Sequence, residues 1–380
     1  MPACRAGACF LRGGCAMSAD GKPSVWVMMP WAERNTYQSS LGAEIEALGY
    51  RVVYRRRRGF LPLGGVGKEW AGGRRVLHLH WIEELANGRR RWMVTVRWLL
   101  LWVQVWWMRR RGVMVLWTGH NLEPHEGFGL PGQRWFYRRV IRQADGVMVH
   151  CRAAGKLIVE RWGLPRDRML VVPHPLFAGD YPAASSRGEA RERLGLAGAD
   201  RVVVHVGMLK AYKNLGELIR VFGASTVAGV NDRLVIAGMS LDPALTAELE
   251  ALAERDPRVR VDPGFLSPES LVDYVSASDV VALPYRATLT SGVAMLAATY
   301  GRPVIGPGEG CMSEMMGGHG FEYSLAEERG LVRALDEALA CDDLGGMGER
   351  FAEHNAAATW ERMAGVLVDW AEGSAAGSSG

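Results

Sequence analysis

Apolar runs rich in β-branched residues recur along the first half of the chain: SVWVMM (24–29), RVVY (51–54), RVLHLHW (75–81), GVMVLWT (112–118), DGVMVH (145–150) and MLVVP (169–173). Helix-length segments such as 38–48 and 152–162 lie between them. Strands that alternate with helices predict a parallel sheet, because parallel neighbours need a long crossover. After the loop-rich passage VVPHPLFAGDYPAASSRG the pattern restarts with RVVVHVG (201–207), RLVIAG (233–238), VRVDPG (259–264), DVVALPY (279–285) and RPVIGP (302–307). Helices are predicted over 214–224, 243–255, 268–276, 291–300 and 325–341. The fold class is therefore α/β, with two doubly wound, Rossmann-like parallel-sheet domains, 23–178 and 179–350, expected to face each other across a cleft. Residues 351–372, with Trp360 and Trp370, read as one helix crossing back over the domains, and 1–22 and 373–380 read as disordered ends.

Composition narrows the function without naming it. With 380 residues, 48% hydrophobic and 23% charged, the chain is too long for one small binding module and is no collagen or mucin. The six Cys, at 4, 9, 15, 151, 311 and 341, form no Cys-x-x-Cys pair, so neither a zinc site nor a disulfide framework is expected. Arg5 and Arg12 interrupt what would be the apolar part of a signal peptide, which predicts a cytoplasmic protein. Charge is lopsided: residues 1–112 hold 19 Lys and Arg against 7 Asp and Glu, although the whole chain is only +4. A basic first half suits an anionic surface or ligand. No nucleic-acid-binding motif accompanies that charge, so nucleic acid is not an expected partner.

Ligands of doubly wound sheets bind beyond the carboxyl ends of the strands, and the candidate chemistry falls there. Gly207-Met208-Leu209-Lys210-Ala211-Tyr212-Lys213-Asn214 follows the first strand of the second domain. Gly207 permits a close turn, and Lys210 and Lys213 are two of only five Lys in the chain, spaced to neutralise a diphosphate. Thr290-Ser291-Gly292 opens a helix, where free N–H groups and the dipole favour an anion; a plain Ser N-cap reads equally well. Together they suit a clamp on a departing nucleoside diphosphate. No Asp-x-Asp occurs, so no metal or other cofactor is expected.

HLHW (78–81), TGHNLEPHE (118–126), VVPHP (171–175), the Gly-x-x-Lys-x-x-Lys-Asn loop (207–214), ALPY (282–285) and TSG followed by YGRPVI (300–305) resemble the GT-B-fold glycosyltransferases. The resemblance is greatest to the bacterial exopolysaccharide branch of the xanthan β-mannosyltransferase type, and it covers about 24 to 365. It implies an acceptor-binding first domain and a nucleotide-sugar-binding second one, with Tyr285 joining the donor site. It also implies transfer of a hexose, mannose from GDP-mannose in the most specific form, to a lipid-linked glycan. Two features depart from the family. The paired Glu of many retaining members are replaced by Thr288 and Leu296, and the Arg after the loop Gly is Met208. An inverting reaction is favoured, and it needs a base within reach of the acceptor hydroxyl. His120 matches the family position against the donor sugar. Glu126 is the base candidate and Glu123 its rival, a loop-pairing carboxylate being the alternative for Glu126. His78 and His80 share one strand face, with Trp81 following, so acceptor contact and core packing are both open.

Trp92 to Met108 is apolar and holds five Trp, bracketed by Arg89–Arg91 and Arg109–Arg111. It is too short and too interrupted by Arg97 and Gln104 for a membrane span. A wheel places those two on one face and Trp98, Trp102 and Trp106 on the other. The reading is a helix packed on the sheet and partly embedded in an anionic inner leaflet, with simple burial as its alternative. A peripheral protein at the cytoplasmic face of the plasma membrane follows. Two rival functions remain: a sugar-nucleotide 2-epimerase of the same architecture, and a non-catalytic lipid-binding scaffold.

Overall fold

A computed structural model describes residues 24–373 apart from 34, 71–72, 89, 124–128, 131 and 287. The expected ends, 1–22 and most of 373–380, lie outside the described residues, as does Glu126. In chain order the first half holds β1 (Val25–Met29), α1 (Thr36–Ala47), β2 (Arg51–Tyr54), β3 (Arg75–Leu79), α2 (Ile82–Ala86), α3 (Arg91–Arg110), β4 (Met114–Thr118), α4 (Gln133–Ile141), β5 (Gly146–Val149), α5 (Arg152–Trp162) and β6 (Met169–Val171). The second half holds α6 (Arg187–Arg193), β7 (Val202–Val206), α7 (Leu215–Ala224), β8 (Arg233–Gly238), α8 (Pro243–Ala253), β9 (Val259–Pro263), α9 (Pro268–Ala277), β10 (Val280–Ala282), α10 (Gly292–Thr299), β11 (Val304–Pro307), α11 (Gly310–Met316) and β12 (Phe321–Tyr323). It ends with α12 (Gly330–Ala340), α13 (Leu344–Asn355) and α14 (Trp360–Glu372).

The strands form two six-stranded sheets, ordered β2-β1-β3-β4-β5-β6 and β12-β11-β10-β7-β8-β9. The pairings within them are parallel, as the alternation predicts. In the second sheet the order reverses between β7 and β10, which are neighbours with Val203 opposite Val280. Chain leaving these two strands diverges to opposite sides, so their carboxyl ends leave a crevice. β7 and β8 are buried on both faces, as a sheet covered by helices requires. Phe222 and Leu218 of α7 and Leu335 of α12 pack with Leu234 and Ile236 in one core.

Acidic residues at strand entrances pin neighbouring strands. Asp279, just before β10, accepts the Val202 N–H at 2.7 Å and pairs with Arg187 at 2.7 Å and Arg191 at 2.5 Å. Asp145, just before β5, accepts the Val115 N–H at 2.9 Å and pairs with Arg109.

Two compact units emerge. The described residues up to Trp117, Trp135–Asp145 and those from Ala364 onward form one, and Thr118–Arg134 with Gly146–Met363 forms the other. The single helix expected over 351–372 is two, α13 and α14. The stretch Ala356–Thr359 separates them, and the Thr359 hydroxyl accepts the Arg362 N–H to start the second.

The cysteine reading also needs correction, because Cys151 and Cys311 form a disulfide within the second unit. Their 160-residue separation hides the pair from any spacing rule, yet α5 and α11 bring the two Cα atoms to 5.5 Å. Glu314 of α11 strengthens the same junction by accepting the Arg152 and Ala153 N–H groups, at 3.0 and 2.8 Å, that open α5.

Candidate functional site

The crevice beyond β7 and β10 is built by two loops of the second unit. Gly207 leaves β7 at φ 103°, a region glycine favours, and its N–H is held by the Ala237 carbonyl. Gly238, at the end of β8, makes this approach possible: a Cβ there would stand 1.9 Å from the Gly207 carbonyl oxygen. Gly238→Ala is therefore expected to destabilise the protein by at least about 2 kcal/mol and to weaken pyrophosphate binding by displacing the loop. Urea denaturation and calorimetric titration measure the two effects separately.

The Gly207 loop then turns through Lys210 into a single helical turn, Ala211–Lys213, and Asn214 enters α7 at φ 56°. Those turns point Lys213 inward. It is only 5% exposed, and a Cβ on Gly207 would lie 3.5 Å from its Nζ. Among the described residues no carboxylate lies within ion-pair distance of it. Burial, reinforced by the charge of Lys210, pushes the Lys213 ammonium down to about 7. A buried cation without an anion is costly, and an incoming polyanion would supply the missing charge.

The second loop closes the other side. Tyr285 is buried with its ring centroid 5.5 Å from Lys213 Nζ. Burial, chiefly, raises the Tyr285 pKa, so it stays a neutral phenol. Ser291 caps α10, its Oγ accepting the Ala294 N–H at 3.2 Å. Thr290 Oγ1 is buried with no hydrogen-bond partner among the described residues, an orphan of the kind that ligands satisfy. A Cβ on Gly292 would be 3.8 Å from its nearest neighbour, so chain packing does not demand glycine there. The fold thus gathers Gly207, Lys213, Tyr285 and Ser291, with Lys210 close enough to act on Lys213 and Thr290 and Gly292 flanking the start of α10.

Beside them lies a cavity of about 710 Å³ within the same unit, lined by Tyr212, Arg286, Thr288 and Glu309 together with Glu123 and Lys156. Arg286, Lys156 and Glu309 escaped sequence reasoning because single charged residues in loops carry no motif. Glu123 is committed to Arg161, and to Arg134 at 3.3 Å, so its carboxylate is held between two guanidinium groups. His120 is buried and begins a row of rings, 6.1 Å from His150, which is 5.0 Å from His174. Burial pushes His150 down to about 4 and His174 to about 3, so these two are neutral packing elements.

In the first unit, His78 is fully buried and accepts the Trp26 indole N–H at 3.2 Å, which makes it a core residue and not an acceptor contact. His80 stacks on it at 4.2 Å, and Trp81, partly exposed, follows.

α3 presents a different face from the one the wheel suggested. Trp98 is 3% exposed and packs on Tyr137, while Trp102 is half-buried beside Trp135. Arg97 and Gln104 point inward, where Arg97 binds the Asn87 carbonyl and Gln104 accepts the Leu63 N–H. The backbone groups of two loops need these polar partners, and that demand overrides the apolar pattern. Trp92, Trp106, Trp107 and Trp135 are exposed, with Arg110, Arg111 and Arg139 stacked over the last three. No helix among the described residues is long and apolar enough to cross a membrane.

Residues 200–341 match the family described as glycosyl transferases group 1, and residues 40–176 match glycosyltransferase family 4. GDP-mannose:glycolipid 4-beta-D-mannosyltransferase of Xanthomonas campestris pv. campestris is 26% identical over 235 residues, 61% of this chain and 61% of the relative. D-inositol 3-phosphate glycosyltransferase of Nocardia farcinica is 30% identical over 243 residues, 61% of this chain and 53% of the relative. The chain thus spans 61% of the first of these curated relatives and 53% of the second. Sucrose-phosphate synthase from Thermosynechococcus elongatus superposes with a TM-score of 0.71 at 19% identity, covering 94% of this chain and all of that one.

Proposed function

Because the chain belongs to the group 1 glycosyltransferases of GT-B fold, we propose that it moves a hexose from a nucleotide-sugar donor onto a lipid-linked glycan, with mannose from GDP-mannose as the specific pair. The observation that carries this reading is Lys213, a buried ammonium with no carboxylate partner among the described residues, beside a glycine turn and the start of α10. When the glycosyl–phosphate bond breaks, negative charge grows on the diphosphate. Lys210, Lys213 and the α10 amides are the groups that would meet it, with no resident metal needed. Mannose and GDP rest on likeness to the mannosyltransferase.

His120 is assigned to the reacting centre and Glu126, six positions further along the sequence, to the acceptor proton. Glu123 is set aside for its ion pairs. With Thr288 and Leu296 where many retaining relatives carry Glu, the transfer is assigned as inverting.

The test is incubation of the protein with radiolabelled GDP-mannose and membrane extract from a glycan-assembling bacterium. Label passing into the organic phase supports the reading. Label remaining as an epimerised free sugar nucleotide would replace it with epimerase activity.

A lipid-linked acceptor places the work at a cytoplasmic membrane face. What supports this is the exposure of Trp92, Trp106, Trp107 and Trp135, the last three with an Arg stacked over each. Trp106→Ala, Trp107→Ala, Arg110→Glu in one chain is expected to cut flotation with phosphatidylglycerol vesicles roughly tenfold or more, while binding to phosphatidylcholine vesicles stays weak in both. Equal flotation of the triple variant and its parent would contradict the assignment.

A further inference from the structure

β7 reads VVVHV and is buried throughout, so His205 is its one polar side chain, with 0% exposure. A polar ring in such a place is tolerated when its nitrogens are paired. Nδ1 lies 2.8 Å from the Ala282 carbonyl oxygen on β10, and a carbonyl only accepts, so Nδ1 carries the proton. Burial, with the charge of Lys213 adding to it, holds the ring pKa well below its ordinary value. A neutral imidazole protonated at Nδ1 offers Nε2 as an acceptor. The Nζ of Lys213 stands 3.4 Å from that nitrogen.

The other groups around Lys213 cannot take its protons strongly. Lys210, on its own segment, repels it, and Tyr285 presents a ring face, with Tyr212 stacked 5.8 Å behind. Ser291, at the start of α10, is engaged as its cap, accepting the Ala294 N–H.

We propose that His205 is a positioning residue of the donor site: its Nε2 accepts one Lys213 N–H and aims the other two at the space beside Gly207 where diphosphate oxygens arrive. This rests on the donor reading above and adds the residue that sets its geometry.

The consequence is legible in pH. Below about 7 Lys213 is charged before ligand arrives, so its protonation does not limit affinity; above it each binding event must take up a proton, and affinity falls toward tenfold per pH unit. Titration calorimetry with GDP, from pH 6 to 9, reads this profile. His205→Asn keeps an N–H toward Ala282 but stops short of Lys213, whereas His205→Gln reaches it. The Asn variant is expected to bind GDP roughly tenfold more weakly at pH 8, with the fall in affinity beginning at lower pH, and the Gln variant to recover most of the loss.

Unchanged affinity and profile in His205→Asn, beside weakened binding in Lys213→Met, would overturn the positioning role and leave the donor site standing. Unchanged binding in Lys213→Met would remove the donor site and this role with it. Ring nitrogen NMR of the unsubstituted protein, labelled at His, needs no variant to fold. A neutral Nδ1–H ring whose Nε2 resonance moves on adding GDP supports the proposal, and an Nε2–H tautomer or an imidazolium between pH 6 and 8 overturns it.

Discussion

Lys213→Met is expected to lower kcat/KM for glycosyl transfer by roughly a thousandfold, while the melting temperature rises. The two signs belong together. Met preserves the packing of the side-chain stem but removes a buried charge that no carboxylate among the described residues compensates, so the empty protein is relieved of a desolvation cost. The same deletion strips the leaving diphosphate of a cation held in a water-poor crevice, where charge acts most strongly. Lys210, partly exposed, should matter less, with Lys210→Met costing roughly tenfold. Steady-state kinetics with saturating acceptor and a thermal melt of the ligand-free protein test both halves. A variant that lost activity and stability together would mean that Lys213 holds the fold and not the donor.

Asp279→Ala is expected to cost about 3–5 kcal/mol of stability, the largest loss foreseen for a residue remote from the crevice. Its carboxylate is 2% exposed and takes two guanidinium groups and the Val202 N–H, so its removal strands the largely buried Arg191 and an amide at the start of β7. Asp279→Asn should recover the amide bond but not the ion pairs, and so fall between. Urea denaturation measures the series. Activity per folded molecule should be retained at low temperature, because the pairs sit at the strand entrance, opposite the carboxyl ends where the loops gather.

The strand pattern of eleven segments, β1 to β11, was legible because buried parallel strands leave continuous runs of Val, Ile and Leu bounded by Gly and Pro. β12 was not, since Phe321-Glu322-Tyr323 is too short to show a period, and α2, α6 and α11 are likewise a turn or two long. The Gly207 loop could be read because lysine is scarce in this chain and two fall on one strand exit. His205 could not, because in sequence it is a polar interruption of a valine run, and only pairing of β7 with β10 places it between Ala282 and Lys213. α3 shows the reverse failure. Periodicity puts Trp98, Trp102 and Trp106 on one face, yet Trp98 is buried beside Arg97 while Trp106 is exposed, because loop carbonyls and amides that Arg97 and Gln104 satisfy draw those two polar side chains inward.

Glu314 has a wider consequence. By taking the first two amides of α5, it settles the positive end of that helix with a carboxylate from the same polypeptide. A phosphorylated acceptor drawn to α5 would find the berth occupied by a tenant tied in place at an effective concentration of order millimolar or above. Only a group that outcompetes this resident anion gains entry there, which makes the helix a gatekept position, in contrast to the Gly207 crevice, where no carboxylate among the described residues pairs with Lys213.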